Sequence, residues 1–237
     1  EPECVYGRWL PNEQHQILTC TPPTMGGGIP AYLQLMRMKN VLLASITVPL
    51  GAQFATGDTW ATEQLPEVIS QVLAVIFFIG AGNTMNDLKD VEIDRDAHPD
   101  RPLASGAITL ESARKFVYLL WTLSVAFVLT GAYFLQMDGK SPAELIAIYV
   151  IAVTLMVTYD HGPTLKNTGL KGNISISIMV GAVILYGASS VGTLWTPLVW
   201  WTAGVVFFAN LAREIIKDCQ DMEADEGKRT TLPMTYG

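Results

Sequence analysis

The sequence predicts an all-α fold, a polytopic transmembrane helical bundle around a central cavity. Three observations predict it. Half of the 237 residues are hydrophobic and only 16% are charged, with a mean hydropathy of +0.31, which is high for a water-soluble domain of this size. Six apolar runs approach the ~20 residues that carry a helix across a bilayer: residues 33–56, 66–86, 113–136, 143–160, 172–191 and 195–216. The loops between these runs alternate in charge, as the loops of a membrane bundle do.

Taken in order, residues 1–30 form a polar leader without an assignment, and residues 31–237 form the membrane domain. The first apolar run lies behind that leader, so it is not a signal peptide. Cys4, Cys20 and Cys219 show no CxxC spacing, so neither a disulfide framework nor a zinc site is indicated; Cys4, His15 and Cys20 could bind a metal, although an ordinary polar leader is the plainer reading. The chain starts at Glu1 and stops in the loop-like TLPMTYG, so the membrane domain is expected to continue beyond residue 237.

The connections after runs one, three and five are GDTWATEQLPE, QMDGKS and VGTL, and they hold a single base, Lys140. The other fourteen lysines and arginines fall on the opposite face. That face is therefore expected to be cytoplasmic, with the amino terminus on the same side. A net charge of −7, from 22 acids against 15 bases, argues against a nucleic-acid surface.

The basic face also carries two acidic clusters, Asp87 to Asp100 behind run two and Asp218 to Glu226 behind run six. Asn86, Asp87, Asp90 and Asp94 are spaced by three, four and seven, which places them on one stripe of a helix. Glu92 falls off that stripe. Asp218, Asp221 and Asp225 repeat the spacing, with Glu214 four residues before them. Like charges so placed repel each other, and a cation between the two ladders relieves the conflict. Acidic oxygen ligands without His or Cys suit a hard divalent ion, and Mg²⁺ takes one or two carboxylates while sharing its other positions with water and phosphate. Lys89, Arg95, Arg101, Lys166, Arg213 and Lys217 supply donors for phosphate oxygens.

The chemistry this suggests is ionisation of a Mg²⁺-bridged diphosphate whose hydrophobic tail lies among the spans. Metal and cationic side chains stabilise the charge that grows on the departing pyrophosphate. The allylic carbon becomes electrophilic and alkylates a second substrate, while apolar walls exclude water. Tyr118, Tyr149 and Tyr186 are candidates for cation-π contact with a carbocation, although packing or lipid contact is the plainer role. His98 and His161 read as solvated loop residues, and Trp200 with Trp201 as an interfacial anchor. A cation transporter is the non-enzyme alternative; it would carry its acids near the bilayer midplane, whereas these clusters stand at one end of the runs.

NDLKDVEID (Asn86 to Asp94) and KDCQDMEAD (Lys217 to Asp225) fit the NDxxDxxxD and DxxDxxxD patterns of the UbiA superfamily of intramembrane prenyltransferases. The flanking pieces RMKN, DRPLASGAIT, LKNTGLKGN and GKRTTLP resemble that family too, so the resemblance runs from about Tyr32 to the end of the chain. Met38 and Ala104 stand where the family has proline, and Tyr159 and Lys166 stand further apart than its usual spacing. The resemblance implies a nine-span bundle, six spans of which are present here. It implies Mg²⁺ as cofactor, held on one side by Asn86, Asp87, Asp90 and Asp94 and on the other by Asp218, Asp221 and Asp225. Asp90, Asp94, Asp218, Asp221 and Lys166 would be catalytic, and Asn86, Arg37, Arg101, Lys166, Arg213 and Lys217 would bind the diphosphate. The motifs look most like those of members that transfer a geranylgeranyl group from its diphosphate to geranylgeranylglyceryl phosphate in ether-lipid synthesis. Aromatic acceptors of quinone or chlorophyll synthesis are the alternative. The expected setting is the cell membrane, with the acidic motifs on the cytoplasmic side, a lipid bilayer as partner, no nucleic acid, and the oligomeric state left open.

Overall fold

The computed structural model describes residues 4–6, 18–20, 28–57, 64–160, 169–220, 222 and 232–236. In the leader, β1 (Cys4–Tyr6) pairs antiparallel with β2 (Leu18–Cys20), with Cys4 opposite Cys20. The remaining regular structure among the described residues is helical: α1 (Ile29–Met36), α2 (Met38–Thr56), α3 (Leu65–Lys89), α4 (Val91–Ala97), α5 (Leu110–Met137), α6 (Ala143–Asp160), α7 (Leu170–Ser189), α8 (Pro197–Gln220) and α9 (Leu232–Tyr236).

Helices α3, α5, α7 and α8 are long and apolar enough to cross a membrane, and α6 is a shorter apolar helix. The run expected as one span over 33–56 is instead broken at Arg37, whose φ of 57° lies in the left-handed region. That conformation costs a non-glycine residue about 1–2 kcal/mol and cannot continue a right-handed helix. It divides the run into the short α1 and the 19-residue α2, which is about 28 Å long at 1.5 Å per residue.

Helix α3 packs along α5 and α7 along α8, and α2 bridges the two pairs by packing on both α3 and α7. The α2–α7 crossing is close because small residues face each other there. A Cβ on Gly51 would stand 2.2 Å from the Ile184 carbonyl oxygen, and one on Gly187 would stand 2.1 Å from that of Val48. Helix α6 completes the ring between α5 and α7.

Away from the acidic motifs the interior holds a buried cluster of Val48, Ala74, Val75, Val128, Ala132, Leu145 and Tyr186. In α6 only Leu145 is buried among the described residues. Toward the motifs the interior faces of α3, α5 and α6 carry half-buried aromatics, with Phe78 edge-on to Trp121 at 5.4 Å and to Tyr149 at 5.6 Å. At the remote end Trp195 stacks on Trp200 at 5.5 Å, Trp195 Nε1 donates to Glu144 Oε1 at 2.6 Å, and Trp201 is exposed. Rings with one apolar face and one polar tip suit the membrane–water boundary. Tyr118 is exposed on the outer surface and so does not face the interior. The chain is an integral membrane protein.

Candidate active site

The first acidic motif straddles the junction of α3 and α4. Asp90 caps both helices with φ −93° and ψ 10°, a small departure that leaves the hydrogen-bond ladder running. Asp90 N donates to Asn86 O at 3.0 Å, and Asp94 N donates to Asp90 O at 2.8 Å. The helical stripe therefore survives the junction. Asp87 and Asp94 are buried, at 3% and 5% exposure, and Asn86 and Asp90 are half-buried. Glu92 points off the stripe into solvent, where Arg95 pairs with it at 2.9 Å.

Two arginines hold the buried carboxylates. Arg37 Nη2 lies 2.6 Å from Asp87 Oδ1. Arg101 Nη1 donates to both oxygens of Asp94 at 2.7 Å and lies 3.8 Å from Asp87. Each arginine comes from a shaped backbone segment. The left-handed elbow that presents Arg37 is pinned by Asn83 Nδ2, which donates to Met36 O at 2.7 Å. Arg101 sits in a turn closed by Ser105 N to Arg101 O at 2.9 Å and Ile108 N to Pro102 O at 3.0 Å. Leu103 and Ile108 of that turn bury against Leu35 of α1 and Val91 of α4, so apolar packing fixes where the guanidinium emerges.

The second motif begins at the end of α8. Asp218 is 9% exposed and accepts a 2.8 Å hydrogen bond from Asn173 Nδ2 in the first turn of α7. Arg213 and Lys217 do not converge on it. They lie 2.8 and 3.8 Å from Glu214, with side chains 71% and 54% exposed. Asp221, Asp225 and Lys166 fall outside the described residues. Asn173 carried no assigned role in the sequence reading, although it closes the LKNTGLKGN stretch; nothing in one sequence shows that an amide will meet a carboxylate 45 positions away. Because α2 packs on α3 and α7, and both motifs lie at the ends of α3 and α8 where α2 and α7 begin, the two share one end of the bundle.

The donors fit Mg²⁺. Among the described residues no three His, Cys, Asp or Glu side chains form a protein-only cage, and Mg²⁺ needs none, since it takes one or two carboxylates and completes its shell with water and phosphate. A carboxylate offers about four lone-pair sites, so Asp94 can keep Arg101 and still bind a cation.

The match to the UbiA prenyltransferase family covers residues 43–237. The digeranylgeranylglyceryl phosphate synthase of Methanococcus aeolicus is 30% identical over 207 residues, covering 87% of this chain and 68% of that protein. The synthase of the same name from Thermococcus kodakarensis is 35% identical over 215 residues, covering 87% and 69%. A solved structure of a digeranylgeranylglyceryl phosphate synthase superposes with a TM-score of 0.71 at 28% identity, covering 88% of this chain and 69% of the other. A UbiA homologue from Archaeoglobus fulgidus, bound to GPP and Mg²⁺, has a TM-score of 0.66 at 19% identity, covers 87% and 69%, and shares the fold. With a family match over most of its length and relatives at this identity, the chain belongs to the UbiA prenyltransferase family and is a membrane prenyltransferase.

Proposed function

We propose that this enzyme transfers a geranylgeranyl group from geranylgeranyl diphosphate to geranylgeranylglyceryl phosphate in ether-lipid synthesis, with Mg²⁺ as cofactor, on the cytoplasmic face of the cell membrane. The observation that carries the reaction is the pairing of buried Asp87 and Asp94 with Arg37 and Arg101, and of buried Asp218 with Asn173, at one end of an apolar bundle. The names of the relatives at 30–35% identity support the acceptor.

Asn86, Asp90 and Asp94, with Asp218, Asp221 and Asp225, would hold the metal. When bound, Mg²⁺ supplies positive charge against the diphosphate oxygens as the allylic C–O bond breaks. Arg37 and Arg101 reach the same region and donate N–H groups to phosphate oxygens, a role for which the planar guanidinium is suited. Asp87 aims them: its carboxylate contacts Arg37 at 2.6 Å and faces Arg101 at 3.8 Å. Lys166, Arg213 and Lys217 add positive charge on the same face. Phe78, Trp121 and Tyr149 would turn ring faces to the cationic carbon as charge develops, and the apolar walls keep water from it.

The test offers the full-length protein in lipid nanodiscs geranylgeranyl diphosphate with either geranylgeranylglyceryl phosphate or 4-hydroxybenzoate. Mass spectrometry should find the product of the glyceryl acceptor, formed with Mg²⁺ and lost with a chelator. Alkylation of the aromatic acid alone would overturn the acceptor assignment.

A further inference from the structure

We infer that Asn173 is a positioning residue for Asp218, holding the second motif's first carboxylate in place without neutralising it. This rests on the metal site proposed above.

Asp218 stands in the last turn of α8, where the helix dipole presents its negative end and disfavours a carboxylate. It is also 9% exposed, and burying an unpartnered charge is expensive. Something must therefore compensate it. In the first motif the compensation is ionic, with Arg37 on Asp87 and Arg101 on Asp94. In the second, the partner given to Asp218 among the described residues is the neutral amide of Asn173, itself 8% exposed, at 2.8 Å. The direction of that bond is set by chemistry, because an ionised carboxylate only accepts. One amide N–H orients Oδ2 and leaves the full negative charge and the remaining lone pairs available to a cation.

The mount is braced. Ser177 Oγ, one turn along α7, donates to Asn173 O at 2.6 Å, and Asn210 Nδ2, two turns back along α8, donates to Ser177 Oγ at 3.1 Å. Two side-chain links, Asn173 to Asp218 and Asn210 to Ser177, thus tie the same two helices. Together they fix the rotation of α8 about its axis and so the direction in which Asp218 points. In metal sites, groups that orient ligands in this way change affinity by about 10–100-fold when removed.

The experiment titrates Mg²⁺ at fixed inorganic pyrophosphate into full-length protein in detergent and reads the rise in melting temperature. The wild type, Asn173→Ala, Asn173→Leu, Asp218→Asn and the double variant Asn173→Ala with Asp218→Asn are compared. The Mg²⁺ midpoint should rise about 10–100-fold in both Asn173 variants. Asn173→Ala should add little once Asp218 is Asn, since the two act through one contact. Prenyl transfer by the Asn173 variants should recover at high Mg²⁺, which a general loss of structure would not allow. A shift in Asp218→Asn with none in the Asn173 variants overturns the positioning role and leaves the metal site standing. No shift in Asp218→Asn overturns the metal site itself. Asn173→Leu keeps a similar volume without a donor or a charge and supplies the measurement if Asn173→Ala does not fold; failure of both to fold makes the role structural and overturns the inference.

Discussion

Asp87→Asn separates two roles for the first motif's opening carboxylate. The change keeps shape and removes charge at a site 3% exposed, where Arg37 is bound at 2.6 Å and Arg101 lies at 3.8 Å. Breaking a fully buried ion pair costs about 3–5 kcal/mol. Here the two arginine side chains are 34% and 30% exposed, so water re-solvates them and the lower scale of a hydrogen bond to a charged group applies, about 1.5–3 kcal/mol. At about 1.4 kcal/mol per decade, arginines that must be re-aimed on each encounter lower kcat/KM for the prenyl diphosphate by about 10–100-fold. Steady-state rates against donor concentration at several Mg²⁺ concentrations measure this. The Mg²⁺ concentration giving half the maximal rate should stay at the wild-type value. If Asp87→Asn instead demanded as much extra Mg²⁺ as Asp90→Asn, then Asp87 would be a metal ligand and the arginine-aiming reasoning would be wrong.

Asp90→Asn in the full-length enzyme should abolish transfer while leaving the melting temperature close to wild type; near-normal turnover at saturating Mg²⁺ would sink the metal assignment. Gly187→Ala should destabilise by about 1–3 kcal/mol, the usual range for overpacking, because its Cβ would meet the Val48 carbonyl oxygen at 2.1 Å and the Val48 carbonyl carbon at 2.9 Å, backbone atoms that cannot swing aside. Gly204→Ala, with nothing within 4 Å of the added Cβ, is the neutral control, and equal thermal unfolding of the two variants in detergent would refute the close crossing.

The membrane class and the positions of five apolar helices, four of them long enough to cross a bilayer, were legible because hydrocarbon demands long apolar helices whatever their neighbours are. α3, α5, α6, α7 and α8 fall within a few residues of their runs. The first run misled because Gln34, Arg37, Lys39 and Asn40 sit inside an otherwise apolar stretch, and hydropathy carries no sign of the left-handed residue at Arg37. Gln71 shows a second blind spot. It lies inside an apolar run, yet it is fully buried and accepts a hydrogen bond from the Tyr186 hydroxyl, a pairing that depends on the approach of α7 and α3 across 115 residues.

For the site, spacing alone put Asn86, Asp87, Asp90 and Asp94 on one stripe and turned Glu92 away from it, since helical periodicity is a local property of the chain. What the residues of that stripe touch is not local. The bases on the acidic face look equivalent in sequence, but the fold brings Arg37 and Arg101 onto buried carboxylates and leaves Arg213 and Lys217 with Glu214 near the surface. Composition, period and motif thus sufficed for a membrane prenyltransferase. Only the packing of α1 and the 98–108 turn onto α3 and α4, and of α7 onto α8, decided which cation or amide answers each carboxylate. The reason is that a buried charge takes whichever partner the helix crossings bring within hydrogen-bond reach, and those crossings are set by residues far apart in the chain.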